Sequence, residues 1–314
     1  MVYLCYIWII LAFATVLGFI VTTEKRLQTK FINNLFIFGK FRYTKEYNLT
    51  SNFLQVPKRW FYHFYLLGLI VHTPFIAVMV YSVCLAKEFP KPLSLILSYI
   101  RSPALQEELL PPAPIIVVLL MGEVQMFRRL LECVYINSYS PGTMSVIIYL
   151  TGISFYCLQG LNIVSVMQEK SLTFSELWMD LHWYHYLLVV VFIFSSYKQH
   201  VLNNILANLR CNQKGKVVTD KHLLPEGDLF KHLSCPHFLM EILIYSVYTA
   251  MFWWRHSVCN AIWLFVFVNQ TLSAYFSHRW YQQTFPDYPK ERAPVIPFLY
   301  FDRWISSPPQ KKLS

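Results

Sequence analysis

The chain has 314 residues, of which 55% are apolar and 14% charged, against roughly 45–50% and about 25% in ordinary soluble domains. That excess excludes a soluble core of this length and points to an integral membrane protein. A net charge of +10 would suggest nucleic acid in a soluble protein; here its distribution suggests a topology instead, and no polynucleotide partner is expected.

Residues 2–22 form a charge-free apolar run of about 20 residues, long enough to span a bilayer. Ala12-Phe13-Ala14 imitates a signal-cleavage site. Yet no positive residue precedes the run and hydrophobicity continues past Ala14, so a retained anchor is expected. Residues 24–59 are polar and basic. The second span occupies residues 60–85, beginning abruptly at Trp60. A shorter run, 113–127, is preceded by Pro111-Pro112 and stopped by Arg128-Arg129; it is marginal in length and can tilt or continue as an amphipathic helix through Tyr135. Further spans are read at 143–167, 181–197 (with His182 and His185 at its start), 238–252 and 258–276. The last two are joined so closely that a helical hairpin is required. The expected architecture is all-α, with seven transmembrane helices in one membrane-embedded domain and a cavity facing the cytosol.

Charge supports that count. Of the 27 Lys and Arg, 22 fall in alternate connections (23–59, 128–142, 198–237 and 277–314) and 5 in the others. This alternation follows the positive-inside rule, with the N-terminus outside and the C-terminus cytosolic. The glycosylation sequons at Asn48 and Asn269 then fall in a cytosolic loop and inside a helix, and both are expected to be unmodified. Lys311-Lys312 reads either as a dilysine retrieval signal of the endoplasmic reticulum or as a solvated polar tail. Seven cysteines (Cys5, Cys84, Cys133, Cys157, Cys211, Cys235 and Cys259) lack CxxC pairing, which suits buried thiols better than a disulfide framework.

Candidate chemistry gathers in the connection 198–237 and in the C-terminal region. The former carries Arg210, Lys214, Lys216 and Lys221, then turn residues Pro225, Gly227 and Asp228. His237 and Glu241 follow, one turn apart on the same helical face. Cys211, His222, His232, Cys235 and His237 fit no usual zinc spacing, so no metal is expected. The lysines suit either an anionic leaflet or a phosphorylated cofactor. No strand–GxGxxG–helix unit exists, which excludes a Rossmann site. At the C-terminal end the apolar run meets Ser277, His278 and Arg279, followed by Tyr288-Pro289-Lys290, Arg292 and Ile296-Pro297-Phe298. Donors and cations ending a span at one level can receive an anionic cofactor from water.

This ending resembles the C-terminus of the steroid 5-alpha-reductase family, its polyprenol/polyprenal reductase branch above all. Departures stand at Glu291, Ala293 and Pro294, where a second basic residue is usual. The resemblance extends over about residues 55–300, through Val56-Pro57-Lys58-Arg59-Trp60-Phe61-Tyr62-His63-Phe64-Tyr65, Arg128-Arg129-Leu130-Leu131-Glu132-Cys133-Val134-Tyr135 and the Ser234-x-Pro236-His237 to Glu241 run. It implies NADPH in a cytosol-facing cavity, with Arg129, Arg210, His237, Glu241, His278, Tyr281 and Arg292 on the matching cofactor-binding positions. Taken singly, Arg128, Arg129 and Arg279 could equally be interfacial anchors. Steroid-reducing members place Gln-Glu after Trp-Phe, and that pair polarises the substrate ketone. Here His63 and Phe64 stand there, so a steroid is the poorer expectation. His63, with Tyr65 as second candidate, is expected to polarise a polyprenal carbonyl. The implied product is dolichal, on the route to dolichol for protein glycosylation at the endoplasmic reticulum. Other enone reductions, a membrane methyltransferase and a non-catalytic paralogue are the alternatives. Ionisable residues kept at helix ends on one side argue against a transporter.

Overall fold

A computed structural model describes residues 2–23, 55–84, 89–101, 109–136, 142–168, 174–210, 219 and 223–297. The Asn48 sequon, Cys211, Lys214, Lys216, Lys221, His222 and the Lys311-Lys312 pair lie outside these residues. The described chain is mostly helical: α1 (Val2–Thr23), α2 (Tyr62–Cys84), α3 (Lys91–Ile100), α4 (Pro112–Leu131), α5 (Val146–Val164), α6 (Phe174–Met179), α7 (Trp183–Asn208), α8 (Pro236–Ala250) and α9 (Ser257–Thr284). Two short strands, β1 (Gln55–Pro57) and β2 (Thr143–Ser145), pair antiparallel with Val56 opposite Met144.

Helix α1 is apolar on every side. It turns Leu4, Trp8 and Ala12 inward, every fourth residue, and leaves Tyr3, Tyr6, Ile10 and Phe13 more than half exposed. A surface of that kind is stable against lipid rather than water. Among the described residues four helical segments are long and apolar enough to cross a membrane: Tyr3–Val21, Lys58–Ser82, Val146–Val164 and Ser257–Thr284. The chain is therefore a multi-pass membrane protein.

The other three expected spans are helices of a different kind. Helix α4 carries Glu123, Gln125, Arg128 and Arg129 within its length. Helix α7 runs 26 residues, and its second half is polar from Lys198 onward. Helix α8 has 15 residues, about 22 Å at 1.5 Å per residue, short of the ~30 Å hydrocarbon thickness. Two expected boundaries also move. Residues 143–145 form β2, because they pair with β1 and tie the starts of α2 and α5 together. Helix α4 takes the expected alternative of continuing past 127, through Tyr135, and ends in a π-helical turn, Glu132–Ile136. Helix α9 passes 276 and ends at Thr284, so His278 and Tyr281 are helical.

Helix α2 packs against α5 and α4; α8 packs against α7 and α9, and α9 against α1. At the end away from β1, Arg101 donates to the carbonyls of Ser165 (2.9 Å) and Met167 (2.7 Å) just beyond α5. The expected α8–α9 hairpin is present. Its turn holds Trp253 and Trp254 at φ of 51° and 61°, left-handed conformations that bulky residues rarely adopt. Backbone contact between α4 and α7, and between α5 and α9, is sparse. Polar and aromatic side chains fill the space between these helices.

Candidate active site

Two polar clusters stand along the space flanked by α8. The first is built on Glu132, whose side chain is 1% exposed and forms ion pairs with Arg128 and Arg129, four and three residues earlier. His200 Nδ1 lies 2.8 Å from the carboxylate, and the Asn203 amide donates to it at 2.9 Å. Burial would raise this carboxyl. Arg129 and Arg128, with the bonds from His200 and Asn203, outweigh that and hold it below the usual carboxylate range.

The network then crosses from helix to helix. Arg128 Nε donates to Ser196 (2.9 Å), and its Nη2 reaches the Gln125 amide oxygen (3.0 Å) and Gln199. Gln199 in turn donates to Glu241 on α8. On the other side Arg129 Nε donates to the Tyr65 hydroxyl at 3.2 Å, with the guanidinium 5.4 Å above the Tyr65 ring. Tyr65 is 3% exposed and packs on Tyr156, ring centroids 4.8 Å apart. Glu241 lies within electrostatic reach of Tyr65, Tyr156, Tyr245 and Tyr248. A buried phenol therefore meets a guanidinium, backed by two carboxylates.

The structure thus brings Tyr65, Arg129 and Glu241 together. His63 stands elsewhere. Two residues apart means roughly 200° around a helix, and His63 Nδ1 lies 2.8 Å from the Tyr149 hydroxyl, against Trp60. Phe64, in the position of the family's acid, is buried against the Gly152 backbone, where a Cβ would lie 2.8 Å from its ring.

The second cluster gathers at the N-terminal end of α8. His278 accepts from the Gln282 amide at Nε2 (2.8 Å), so the neutral ring carries its proton on Nδ1 and donates to the Ser234 hydroxyl (2.6 Å). The Tyr288 hydroxyl joins the same group. Burial pushes the Tyr288 phenol up to about 12, so it keeps its proton at physiological pH. Tyr281 stacks on Tyr288 at 5.9 Å with an interplanar angle of 5°. Arg210, at the end of α7, and Arg292 both act electrostatically on Tyr281. His237 packs on Phe238, on the α8 face that carries Glu241.

Arg292 is 5% exposed. It donates to the Pro225 carbonyl (3.0 Å) and lies 5.5 Å above the Tyr288 ring. Among the described residues no carboxylate pairs with it, and its Nε has no hydrogen-bond partner. A buried guanidinium in that state favours an anion with several oxygens. Ala293, one of the three departures from the family pattern, is 1% exposed and contributes backbone: its N–H donates to His232 O and its carbonyl accepts from Ser234 N–H, both at 2.9 Å. Among the described residues no three His, Cys, Asp or Glu side chains come together as around a metal ion.

Sequence reasoning missed several members. Glu132 was visible only as an i, i+4 partner of Arg128. Gln125, Gln199, His200, Asn203 and Tyr156 carry no local signal of their own, since their partners are distant in the chain.

A family model described as 3-oxo-5-alpha-steroid 4-dehydrogenase matches residues 142–300. Polyprenal reductases of Xenopus tropicalis, Mus musculus and Homo sapiens are 31%, 33% and 34% identical to the chain, each over 78% of it and over 80%, 79% and 78% of their own lengths. The chain belongs to the steroid 5-alpha-reductase family. Reductases of the steroid 5-alpha-reductase family generally use NAD(P)H, whose phosphates are the kind of anion that the Arg292 guanidinium fits.

Proposed function

We propose that the chain is an NADPH-dependent reductase of the α-isoprene double bond of polyprenal, or of polyprenol, yielding dolichal or dolichol for protein N-glycosylation. The observation that carries this reading is the Tyr65 hydroxyl, fully buried and held by Arg129 in a network that reaches Glu241. The likeness to polyprenal reductases supports the substrate class. In this reading the chain is one membrane-embedded domain of seven spans in the endoplasmic reticulum, with a lumenal N-terminus and a cytosolic C-terminus. The cofactor pocket opens to the cytosol.

Arg292, Arg210, His278, Tyr281 and His237 would hold the phosphate and adenosine portion of NADPH, and Arg129 and Glu241 the end nearer Tyr65. Cys235 precedes α8 and Glu241 lies six residues on, about 9 Å along the axis, so the two clusters stand at different levels of one helix. When bound, NADPH supplies a hydride equivalent to the β-carbon of the conjugated aldehyde. Conjugation favours polyprenal over polyprenol as the direct substrate, because charge can then move to oxygen instead of remaining on carbon. Arg129 donates to the Tyr65 oxygen, which leaves the phenol's own proton to hydrogen-bond that developing oxyanion. A proton delivered to the α-carbon completes the saturated aldehyde. His63, on the opposite face of α2, is the second candidate for polarising the oxygen.

Purified protein should oxidise NADPH in the presence of long-chain polyprenal. Tyr65→Phe should lower kcat by about 10²–10³ while NADPH affinity is kept, and Arg292→Ala should weaken NADPH binding instead. A wild-type protein that binds NADPH but shows no polyprenal-dependent oxidation overturns the reading. The family description keeps a steroid enone in view. Phe64 in place of the acid argues against it, and competition between a steroid enone and polyprenal decides.

A further inference from the structure

A third set of polar groups lies deep in the apolar part of the molecule and borders the first cluster through Tyr245 and Tyr248. His72 stands 10 residues into α2, about 15 Å from its start, and is 1% exposed. Its Nδ1 lies 2.9 Å from Glu123 on α4, and the Thr73 hydroxyl donates to the other oxygen of that carboxylate at 2.5 Å. A carboxylate only accepts, so Nδ1 carries the proton, and Nε2 of the neutral ring is left as an acceptor. That Nε2 is buried and has no partner among the described residues.

Helix α2 also lacks one backbone hydrogen bond here. Pro74 has no N–H, which frees the Ile70 carbonyl within a membrane span. The ring of His72 lies between two glycines: a Cβ on Gly160 would sit 3.1 Å from it and one on Gly122 3.6 Å away. The Gln159 amide reaches the same point beside Gly122, at 3.0 Å. Gln159 is 6% exposed and its Oε1 also lacks a partner. Gln159 lines a small cavity with Phe155, Tyr245 and Tyr248, and the buried Tyr248 hydroxyl is unpartnered too.

Two of these three orphaned atoms accept hydrogen bonds without donating. Leaving them bare costs free energy, and an ionisable pair at mid-span is retained for a function far more often than for stability. An aldehyde oxygen would bring a third acceptor to the neutral ring. A hydroxyl brings the missing donor. Only a ligand with an apolar body reaches this depth from the bilayer. Glu123 and Thr73 mark an approach from the lipid side, since Glu123 keeps 24% of its side chain exposed.

We propose that His72, positioned by Glu123, forms with Gln159 a mid-membrane site for the terminal hydroxyl of an isoprenoid alcohol, and that this site distinguishes the alcohol from its aldehyde and ether counterparts. The choice of an isoprenoid rests on the reductase reading above; the preference for a hydroxyl rests on the acceptors alone.

The test is equilibrium binding of farnesol and of farnesyl methyl ether to the detergent-purified full chain. The alcohol should bind about tenfold more tightly. His72→Phe and Gln159→Leu should each remove most of that preference while leaving the ether's affinity unchanged. Equal affinities in the wild type overturn the proposal, as would variants that lose both ligands together; the wild-type comparison stands even if His72→Phe does not fold. NADPH oxidation with polyprenal, measured on the same preparation, separates the two readings. Turnover without hydroxyl preference sinks this site alone, and preference without turnover sinks the reductase alone.

Discussion

At Glu132 one carboxylate bridges two guanidiniums that would otherwise stand side by side with no charge between them. Removing one partner of such a group leaves uncompensated charge, at a cost of roughly 3–5 kcal/mol. Glu132→Ala should therefore lower the thermal midpoint of the purified protein clearly, whereas Lys198→Ala, which breaks an ion pair with Asp228 whose side chains are 27% and 23% exposed, should move it little. A Glu132→Ala midpoint no lower than that of Lys198→Ala would show that Arg128 and Arg129 are already matched by other groups. Tyr65 and His63 illustrate a different point at this scale. Both were visible as candidates, but a spacing of two residues turns them to opposite faces, and only Tyr65 meets the arginine.

Among the elements, the α8–α9 hairpin depends on His256. Its Nδ1 accepts from the Cys259 N–H at 3.3 Å, capping α9, and its Nε2 donates to the Ile163 carbonyl at 3.1 Å, fastening the hairpin to α5. The side chain is fully buried, and burial pushes its pKa down from 6.5 to about 4. As pH falls the unfolded chain binds this proton first, so the contribution to stability is complete above about 6.5 and is lost progressively toward 4. The difference corresponds to roughly 3 kcal/mol. Unfolding midpoints between pH 7.5 and 4 should decline more steeply for the wild type than for His256→Phe; parallel curves would remove His256 from the account. His182 and His185, which mark the start of a span in the sequence, cap α7: the His182 N–H donates to His185 Nδ1 at 2.8 Å.

For the whole molecule the decisive matter is sidedness. Arg210 and Arg292 act on one tyrosine, and the proposed cofactor site requires both at one face of the bilayer. With the native cysteines replaced, Glu226→Cys and Glu291→Cys should react with a membrane-impermeant thiol reagent in sealed microsomes, and Trp253→Cys only after permeabilisation. Reaction of the first two from opposite sides would dissolve the cofactor pocket.

The positions of the long apolar helices α1, α2, α5 and α9 were readable from the chain because lipid leaves backbone groups no partner but their own helix, so hydropathy reports them locally. The C-terminal run from His278 to Arg292 and the block around Arg128 were readable as well, since each is continuous. The partnerships were not. Glu132 meets Asn203, His72 meets Glu123, and Ser234 meets Tyr288 across 71, 51 and 54 residues. Which side chains close over such separations depends on how the helices rotate and pack against one another, and side-chain packing is not written in any local stretch.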